Sequence, residues 1–374
     1  MKTISGLAGV ALFFLTMLTP LIGSAQTDKS GSQTEWEKTV EAAKQEGTVV
    51  VSVPTSAELR KQMEAAFHQR FDGIRLELVA ARGSASVNRI MEEKKAGVHY
   101  FDLHVGGTSS IVTGLLRADV LEPLLPWMIL PEVKDPKNWW AGHIWADNAQ
   151  KYIYVFLGYM TETIWYNSDL VRPEEVTSYD DLLQQKWKGK MVILDPRTAG
   201  SGESMWAFLW RIKGEEYLQR LAAQEMLLGR NLRQLAETVA RGKASLSIGV
   251  SYYSYLPFIK AGLPIRPLPV PKEGIYASSG SGNLVILKNA PHPNATKVFV
   301  NWLLSREGQG IFTKAMGQPT RRFDVDTQWT REFGHIAAKE TLTPAKFNEL
   351  QNQSEEVVVK FREPSSKLAD KLFK

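Results

Sequence analysis

The chain contains no cysteine among its 374 residues. Disulfides, thiolate zinc sites, iron–sulfur clusters and a thiol nucleophile are therefore excluded, and packing must supply the stability. The excess of positive charge is small, with 45 Lys and Arg against 40 Asp and Glu, and the chain has no long run of basic residues. A groove that follows a phosphate backbone needs clustered positive charge, so no nucleic-acid partner is expected.

Catalytic signatures are missing as well. The sequence has no G-x-S-x-G elbow, no G-x-x-x-x-G-K-[ST] loop, no H-E-x-x-H and no G-x-G-x-x-G. Its six histidines show no spacing typical of metal ligands. An enzyme is therefore not expected, although an enzyme on the same fold stays open as a distant alternative.

Residues 1–25 have the pattern of a secretory signal peptide. A short cationic start precedes an apolar run from Leu7 to Leu18, and small residues occupy positions 23–25. An uncleaved anchor is the alternative, but the run is nearer a dozen residues than the ~20 that cross a bilayer. We therefore predict cleavage after Ala25 and a soluble mature chain in the periplasm.

Downstream, strand-like and helix-like segments alternate. The predicted strands of a first unit are β-branched or apolar runs at Thr48–Val53, Ile74–Ala80 and Phe101–Val105. The predicted helices around them lie at Glu35–Glu46, Ala57–Arg70, Ser84–Ala96 and Ile111–Arg117. This order predicts βαβ units with a largely parallel sheet. Ligands of such sheets bind beyond the carboxyl ends of the strands, so the turns at 54–56 and 106–109 are candidate binding edges.

A second α/β unit follows, as the chain length of about two domains allows. Its strands and helices are predicted at Met191–Leu194, Glu203–Ile212, Leu232–Arg241 and Ala244–Val250. A polar aromatic turn is predicted at Ser251–Tyr255, and extended segments at Tyr152–Tyr166 and Gly282–Leu287. The tail from Ala337 to Lys374 is predicted to be helical, polar and peripheral.

Several segments in a fixed order resemble a known family. They are Trp165–Leu170, Trp187–Lys190 leading into Asp195-Pro196, Arg241–Ala244, Asn289–Ala295, Leu304–Gln309 and Pro319–Val325. In these segments the chain resembles the family 1 extracellular solute-binding proteins of ABC importers, from about residue 35 to about residue 330. By pattern, its nearest relatives within that family are the ferric-iron-binding proteins.

The resemblance implies an α/β, two-lobed periplasmic binding protein, similar to type II, with a ligand cleft between lobes joined by crossing hinge strands. The chain should cross near Phe156–Trp165 and return near Gly282–Leu287. Lobe 1 is then 26–157 plus about 283–325, lobe 2 is 158–282, and 326–374 is a helical tail that packs on the lobes. The implied partner is the membrane permease of an ABC importer, and a monomer is expected.

The resemblance also implies a ligand. In the ferric relatives an adjacent tyrosine pair supplies phenolate oxygens, and Tyr252 and Tyr253 hold the matching position. A trivalent cation favours the phenolate over the phenol. Both rings can reach one ion only if the pair lies in a turn or at a helix start. Ferric iron with a synergistic anion is therefore the expected transported ligand, and no resident cofactor is expected.

The first unit departs from the ferric pattern, because it offers hydroxyls where relatives carry a His or Tyr and a carboxylate. Hydroxyls and helix N-termini suit a negative group. A small anionic or zwitterionic organic solute, similar to a phosphonate or carboxylate, is thus the alternative ligand. The predicted ligand-binding residues are Thr55, Ser56, Thr108, Ser109, Thr198, Ser201, Gly202, Tyr252, Tyr253 and Tyr255.

Overall fold

The structure is a computed structural model that describes residues 27–161 and 164–374. The predicted signal peptide lies outside the described residues. The strands are β1 Thr48–Val53, β2 Arg75–Ala80, β3 Leu103–Gly106, β4 Leu121–Glu122, β5 Ile144–Trp145, β6 Tyr154–Val155, β7 Tyr159–Thr161, β8 Ile164–Asn167, β9 Met191–Leu194, β10 Leu227–Gly229, β11 Leu246–Ile248, β12 Ile265–Pro267, β13 Ala277–Ser278, β14 Asn283–Leu287 and β15 His335–Ala337.

The α-helices are distributed along the whole described chain. They are α1 Thr27–Glu46, α2 Ala57–Arg70, α3 Gly83–Lys95, α4 Thr108–Ser110, α5 Pro131–Lys134, α6 Ser201–Ala222, α7 Leu232–Ala240, α8 Tyr252–Lys260, α9 Pro293–Leu304, α10 Arg306–Met316, α11 Ala338–Thr341, α12 Pro344–Leu350, α13 Glu355–Val357 and α14 Glu363–Leu372. Helix α6 is interrupted at Gly214. Two π-helical segments, Ile111–Leu116 and Val358–Arg362, continue from α4 and α13. Short 3₁₀ turns lie at Leu125–Trp127, Pro136–Asn138, Pro173–Glu175, Tyr179–Leu183, Gln185–Trp187 and Gln328–Phe333.

The first large sheet has the order β2-β1-β3-β14-β6-β5, with β4 on β14. Strand β1 runs parallel to β2 and β3, whereas β14 runs antiparallel to β3. Val49 and Val51 are buried in the core on one face of β1, and Val50 is buried in the core on the other. The continuous apolar run in β1 therefore reflects a sheet that is covered on both faces.

The second large sheet has the order β10-β9-β11-β8-β12, with β9 parallel to β10 and β11. Its central strand β9 also divides its side chains between two cores. Met191 and Ile193 lie in one core, and Val192 and Leu194 lie in the other. Each sheet with its helices forms one lobe of an α/β, two-lobed architecture, as the resemblance predicts.

A small third sheet with the order β13-β7-β15 joins the two lobes. Strand β7 pairs antiparallel with β13 and with β15. The predicted first crossing includes β7. The predicted return at 282–287 is displaced, because residues 283–287 form β14 of the first large sheet and the strand that pairs with β7 is β13. The third strand, β15, comes from the C-terminal part of the chain.

Most predicted elements agree with the structure, and those at β1, α2 and β9 agree at both ends. The predicted turn at Ser251–Tyr255 is instead the start of helix α8, and Ser251 is its N-cap residue in an extended conformation. Tyr252 and Tyr255 bury their rings, with 3% and 0% of their surface exposed. Burial of these two rings on one side of the chain favours a helical turn over an irregular one.

The C-terminal tail is less peripheral than the sequence predicts. Asn352, Arg362 and Ser365 are buried, with at most 2% of their surface exposed. Val358 is buried in a core of the first lobe, and Leu368 in a core of the second. The tail therefore packs into both lobes. None of the helices in the described residues combines the length and the apolar character that crossing a bilayer requires.

Candidate functional site

A cavity of about 120 Å³ lies between the two lobes. A single ordered water needs only roughly 10–15 Å³ of such space, so the cavity has room for a small solute. The first lobe lines it with loops that follow β1, β2 and β3, and the second lobe with the start of α6 and the loop that precedes α8. The small third sheet and the C-terminal segment contribute further lining residues, among them Tyr159, Ser278, His335, Gln353 and Arg362. We call this cavity the cleft.

The start of helix α6 forms one wall of the cleft. Ser201 donates its hydroxyl to the carbonyl oxygen of Gly249 at 2.6 Å. A Cβ on Gly202 would lie 2.2 Å from the carbonyl oxygen of Leu194, so only glycine permits this approach of helix to strand. The first N–H groups of a helix have no acceptor within the helix and favour a negative group. The close packing of Gly202 on Leu194 therefore holds these N–H groups in a fixed position beside the cleft.

Arg82 brings a positive charge from the opposite lobe. Its guanidinium donates to the Thr198 hydroxyl at 2.9 Å and to the Arg230 carbonyl oxygen at 3.1 Å. Burial lowers the pKa of Arg82 from its ordinary value, but a guanidinium stays protonated in proteins. No carboxylate of the described residues forms an ion pair with Arg82. Its charge is therefore available to a ligand.

Asp195 lies near Arg82 and does not neutralise it by contact. Burial raises the pKa of this carboxyl, but hydrogen bonds from Arg197 and Arg230 outweigh that effect and lower the pKa to about 2. Both arginines donate to Asp195 at 2.8 Å. The carboxylate is thus already satisfied by two guanidiniums.

The tyrosine pair is divided between the cleft and the protein core. Tyr253 lines the cleft, whereas Tyr252 packs against Trp165 with ring centroids 6.0 Å apart. Tyr255 is stacked on the same indole at 4.7 Å, and its hydroxyl bonds to the hydroxyl of Ser247. Burial raises the pKa of Tyr252 to about 12 and also raises the pKa of Tyr253. Both phenols are therefore neutral at pH 7 unless a cation stabilises the anion.

The cleft brings together four of the ten predicted ligand-binding residues, namely Thr55, Ser109, Ser201 and Tyr253. The other six are not part of this lining and lie elsewhere in the described structure. Ser56 caps α2 by accepting from the Leu59 N–H at 3.2 Å, Thr108 is buried in α4, and Thr198 holds Arg82. Gly202 packs against β9, and Tyr252 and Tyr255 belong to the core around Trp165.

Sequence reasoning missed several polar residues of the cleft. They include Arg82 and Arg362, and Arg362 donates at 2.6 Å to Glu203, which is not part of the lining and also accepts from Ser109 at 3.0 Å. Arg82 had a usable signal, because it follows β2 at the carboxyl end of the sheet, where ligands bind. Arg362 had no such signal, because it comes from the C-terminal tail, far in sequence from the other residues of the cleft.

Two buried histidines also line the cleft. His104 has 1% of its surface exposed, and its Nδ1 lies 2.9 Å from the hydroxyl of Ser52. Its Nε2 has no hydrogen-bond partner among the residues that the structure describes. Burial lowers the pKa of His104 and of His335 to about 4. Both rings are therefore neutral at pH 7 and add no positive charge.

The side chains that line the cleft suit an anion better than an isolated cation. None of the described residues that line it is Asp or Glu. Within 27–161 and 164–374, no three or more His, Cys, Asp or Glu side chains cluster in a way that could hold a metal ion. A ferric ion would have to rely on phenol oxygens, chiefly Tyr253, and on an anion brought with it.

Comparison with known proteins agrees with this architecture. The sequence model of a family described as bacterial extracellular solute-binding protein matches residues 41–315, more than half of the chain. Iron uptake protein A1 of Synechocystis sp. is 24% identical over 167 residues, which cover 40% of this chain and 45% of that protein. The chain spans less than half the length of the curated relatives it matches.

Solved structures share the two-lobed fold. The periplasmic binding protein AfuA of Actinobacillus pleuropneumoniae, with fructose-6-phosphate bound, has a TM-score of 0.62 and 19% identity over 87% of this chain and 97% of that one. A Trichodesmium protein in complex with iron and citrate has a TM-score of 0.61 and 20% identity over 87% of this chain and 99% of that one. At such identities the likeness concerns the fold alone.

Proposed function

The chain belongs to the bacterial extracellular solute-binding proteins, and from that premise we propose that it captures a small organic anion in the cleft and delivers it to the membrane permease of an ABC importer. The observation that carries the proposal is the charge of the cleft. Arg82 forms no ion pair with a carboxylate of the described residues, and the lining described above contains no Asp or Glu. A negative group on the solute would accept from Arg82 and from the first turn of α6.

Closure of the cleft fits a capture role. Arg82 from the first lobe reaches Thr198 in the second, and Ser109 reaches Glu203 in the same way. A ligand that contacts both lobes adds its own binding energy to these contacts and so favours the closed population. The permease could then distinguish loaded from empty protein by its shape.

Ferric iron accompanied by an anion is the second candidate. Tyr253 lines the cleft, and phenolate oxygen is a hard anionic donor. The name of the Synechocystis relative and the iron and citrate in the Trichodesmium structure support this candidate. The fructose-6-phosphate bound to AfuA supports the organic anion. Both candidates place a negative group beside Arg82.

Export follows from the proposed role. We infer that residues 1–25 are removed and that the mature protein acts as a monomeric, non-enzymatic receptor in the periplasm. The mass of the exported protein tests the first part, because a chain that still contains its first 25 residues would contradict cleavage. A sedimentation coefficient typical of a dimer would contradict the monomer.

Calorimetry with three probes tests the ligand: inorganic phosphate, citrate and ferric citrate. Arg82→Gln removes the charge-assisted hydrogen bonds to the anion and should weaken binding at least about tenfold. Arg89→Gln is the matched control, because it removes the same charge from α3 at a residue outside the cleft lining, where Arg89 pairs with Glu93 and lies over the rings of Tyr100 and Phe101. Equal affinities of the two variants would refute the anion site.

The same titrations separate the two candidates. Iron bound through a phenolate absorbs visible light, so ferric citrate should colour the protein only if iron reaches Tyr253. If Tyr253→Phe abolishes both the colour and the binding of ferric citrate, and phosphate and citrate alone do not bind, ferric iron replaces the organic anion as the ligand. If the anions bind and no colour develops, the organic anion stands.

A further inference from the structure

The C-terminal segment from residue 351 onward is bound to the second lobe at the start of α6. The side chain of Asn352 donates to the carbonyl oxygen of Ser204 at 2.7 Å. The indole N–H of Trp206 donates to the carbonyl oxygen of Ser365 at 3.0 Å. These groups are buried, so the contacts are protected from competing water.

The same segment is also bound to the first lobe. The guanidinium of Arg117 donates to both carboxylate oxygens of Glu363, at 2.7 and 2.8 Å. The backbone N–H of Glu355 donates to the carbonyl oxygen of Ala146 at 2.7 Å. Val358 is fully buried in a core of that lobe. The segment therefore bridges the two walls of the cleft.

Glu203 is the point at which both lobes and the C-terminal segment meet. One of its carboxylate oxygens accepts from the Ser109 hydroxyl at 3.0 Å, and the other accepts from the Arg362 guanidinium at 2.6 and 3.1 Å. Arg362 also donates to the carbonyl oxygen of Gly200 at 3.3 Å. Glu203, Arg362 and Ser109 have only 4%, 2% and 2% of their surface exposed.

The charge of Glu203 has a consequence for the cleft. It lies in the first turn of α6, two residues after Ser201, which lines the cleft. An uncompensated buried carboxylate there would repel an anion and would itself be costly to bury. Arg362 cancels this charge, so that the charge of Arg82 on the other lobe is not opposed.

We propose that the C-terminal segment is a third component of the binding site, in which Arg362 acts as a positioning residue: it neutralises Glu203, fixes the first turn of α6 and completes the contact to Ser109. The proposal rests on the proposed function for its effect on anion affinity. Its effect on the structure of α6 does not depend on any ligand. Both π-helical segments of the described chain lie at this junction, next to Ser109 and at Arg362, and such segments are frequent at functional sites.

Binding of inorganic phosphate, measured by calorimetry, tests the electrostatic part. Arg362→Gln leaves Glu203 unpaired and should weaken phosphate binding at least about tenfold. Adding Glu203→Gln to that variant should restore most of the affinity, because both charges are then gone. Arg362→Lys keeps the charge and should also bind better than Arg362→Gln. A double variant as weak as Arg362→Gln would overturn the electrostatic role.

Hydrogen exchange at residues 200–204 tests the positioning part without any ligand. Arg362→Gln should speed exchange of these amides, while Lys360→Gln, an exposed change on the same segment that breaks only the Glu356 pair, should not. Equal exchange in the two variants would overturn the proposal. If phosphate does not bind the unmodified protein but the exchange rates differ as expected, the proposed function has failed and the positioning role stands.

Discussion

Arg321 offers a sharp test of how the first lobe holds the crossing segment. Its side chain is fully buried, and its guanidinium donates to the carbonyl oxygens of Val155, Trp140 and Gly142, at 3.0, 2.6 and 2.8 Å. Burial lowers the pKa of Arg321 to about 10, so the side chain is still charged at pH 7. No carboxylate of the described residues forms an ion pair with it. The three carbonyl oxygens, together with the rings of Trp139 and Tyr154 at 5.7 and 5.9 Å, surround the charge.

Arg321→Met keeps much of the volume and removes every donor. Three carbonyl oxygens, at buried Val155 and Trp140 and at partly buried Gly142, then lose a charged partner, and a buried one costs about 1–3 kcal/mol when it is left unsatisfied. The variant also no longer buries a charge, and the desolvation penalty that disappears offsets part of that cost. We therefore expect a loss of about 3–5 kcal/mol in the free energy of unfolding. Arg321→Lys should lose less stability than Arg321→Met, because it keeps a charged donor. It should still be less stable than the unmodified protein, because one ammonium group cannot replace the planar fork of the guanidinium.

Urea denaturation followed by circular dichroism measures this loss. Arg331→Met is the control, because Arg331 is half exposed and its pair with Glu340 should contribute no more than about 1 kcal/mol. If Arg321→Met destabilises the protein by no more than the control does, the carbonyl oxygens are satisfied in another way and the reasoning fails.

Three further predictions concern the cleft and its supports. His104 and His335 have a pKa of about 4 in the folded chain and about 6.5 when unfolded, so the unfolded state binds protons first as the pH falls. The free energy of unfolding should therefore fall by roughly 3 kcal/mol for each ring between pH 6.5 and pH 4. Thermal melts across that range check this, and a flat profile would contradict it. Gly202→Ala should cost about 1–3 kcal/mol in urea denaturation, because its methyl group would collide with a strand carbonyl oxygen; unchanged stability would contradict the collision. Tyr253→Phe should weaken citrate binding more than Tyr252→Phe does, because Tyr253 lines the cleft; the reverse order in calorimetry would show that Tyr252 turns toward the ligand.

The sequence predicts those parts of the fold where a local pattern and the tertiary packing agree. Strand β9 is a continuous apolar run, and β1 contains the apolar run Val49–Val51, because both faces of their sheets are covered, so no alternative pattern competes. Helix α2 has a clear capping residue in Ser56. The start of α8 could not be predicted in this way, because a short aromatic run such as Tyr252–Tyr255 fits a turn, a strand or a helix equally well.

The candidate site was only partly predictable for a related reason. Turns at the carboxyl ends of strands are visible in the sequence, and they led to Thr55, Ser109 and Ser201, which do line the cleft. Whether they touch a ligand stays a prediction. Glu203 and Arg362 lack any local signature, since their importance comes from a pairing that only the folded chain creates.

The junction at Glu203 also bears on the order in which the protein folds. Its two partners are 94 and 159 residues away along the chain. Contacts between such distant residues form late, because the intervening chain must first lose conformational entropy. During refolding from urea, recovery of ligand binding should therefore lag behind recovery of helical circular dichroism, and a polypeptide shortened at its C-terminus could acquire most of its secondary structure without becoming competent to bind.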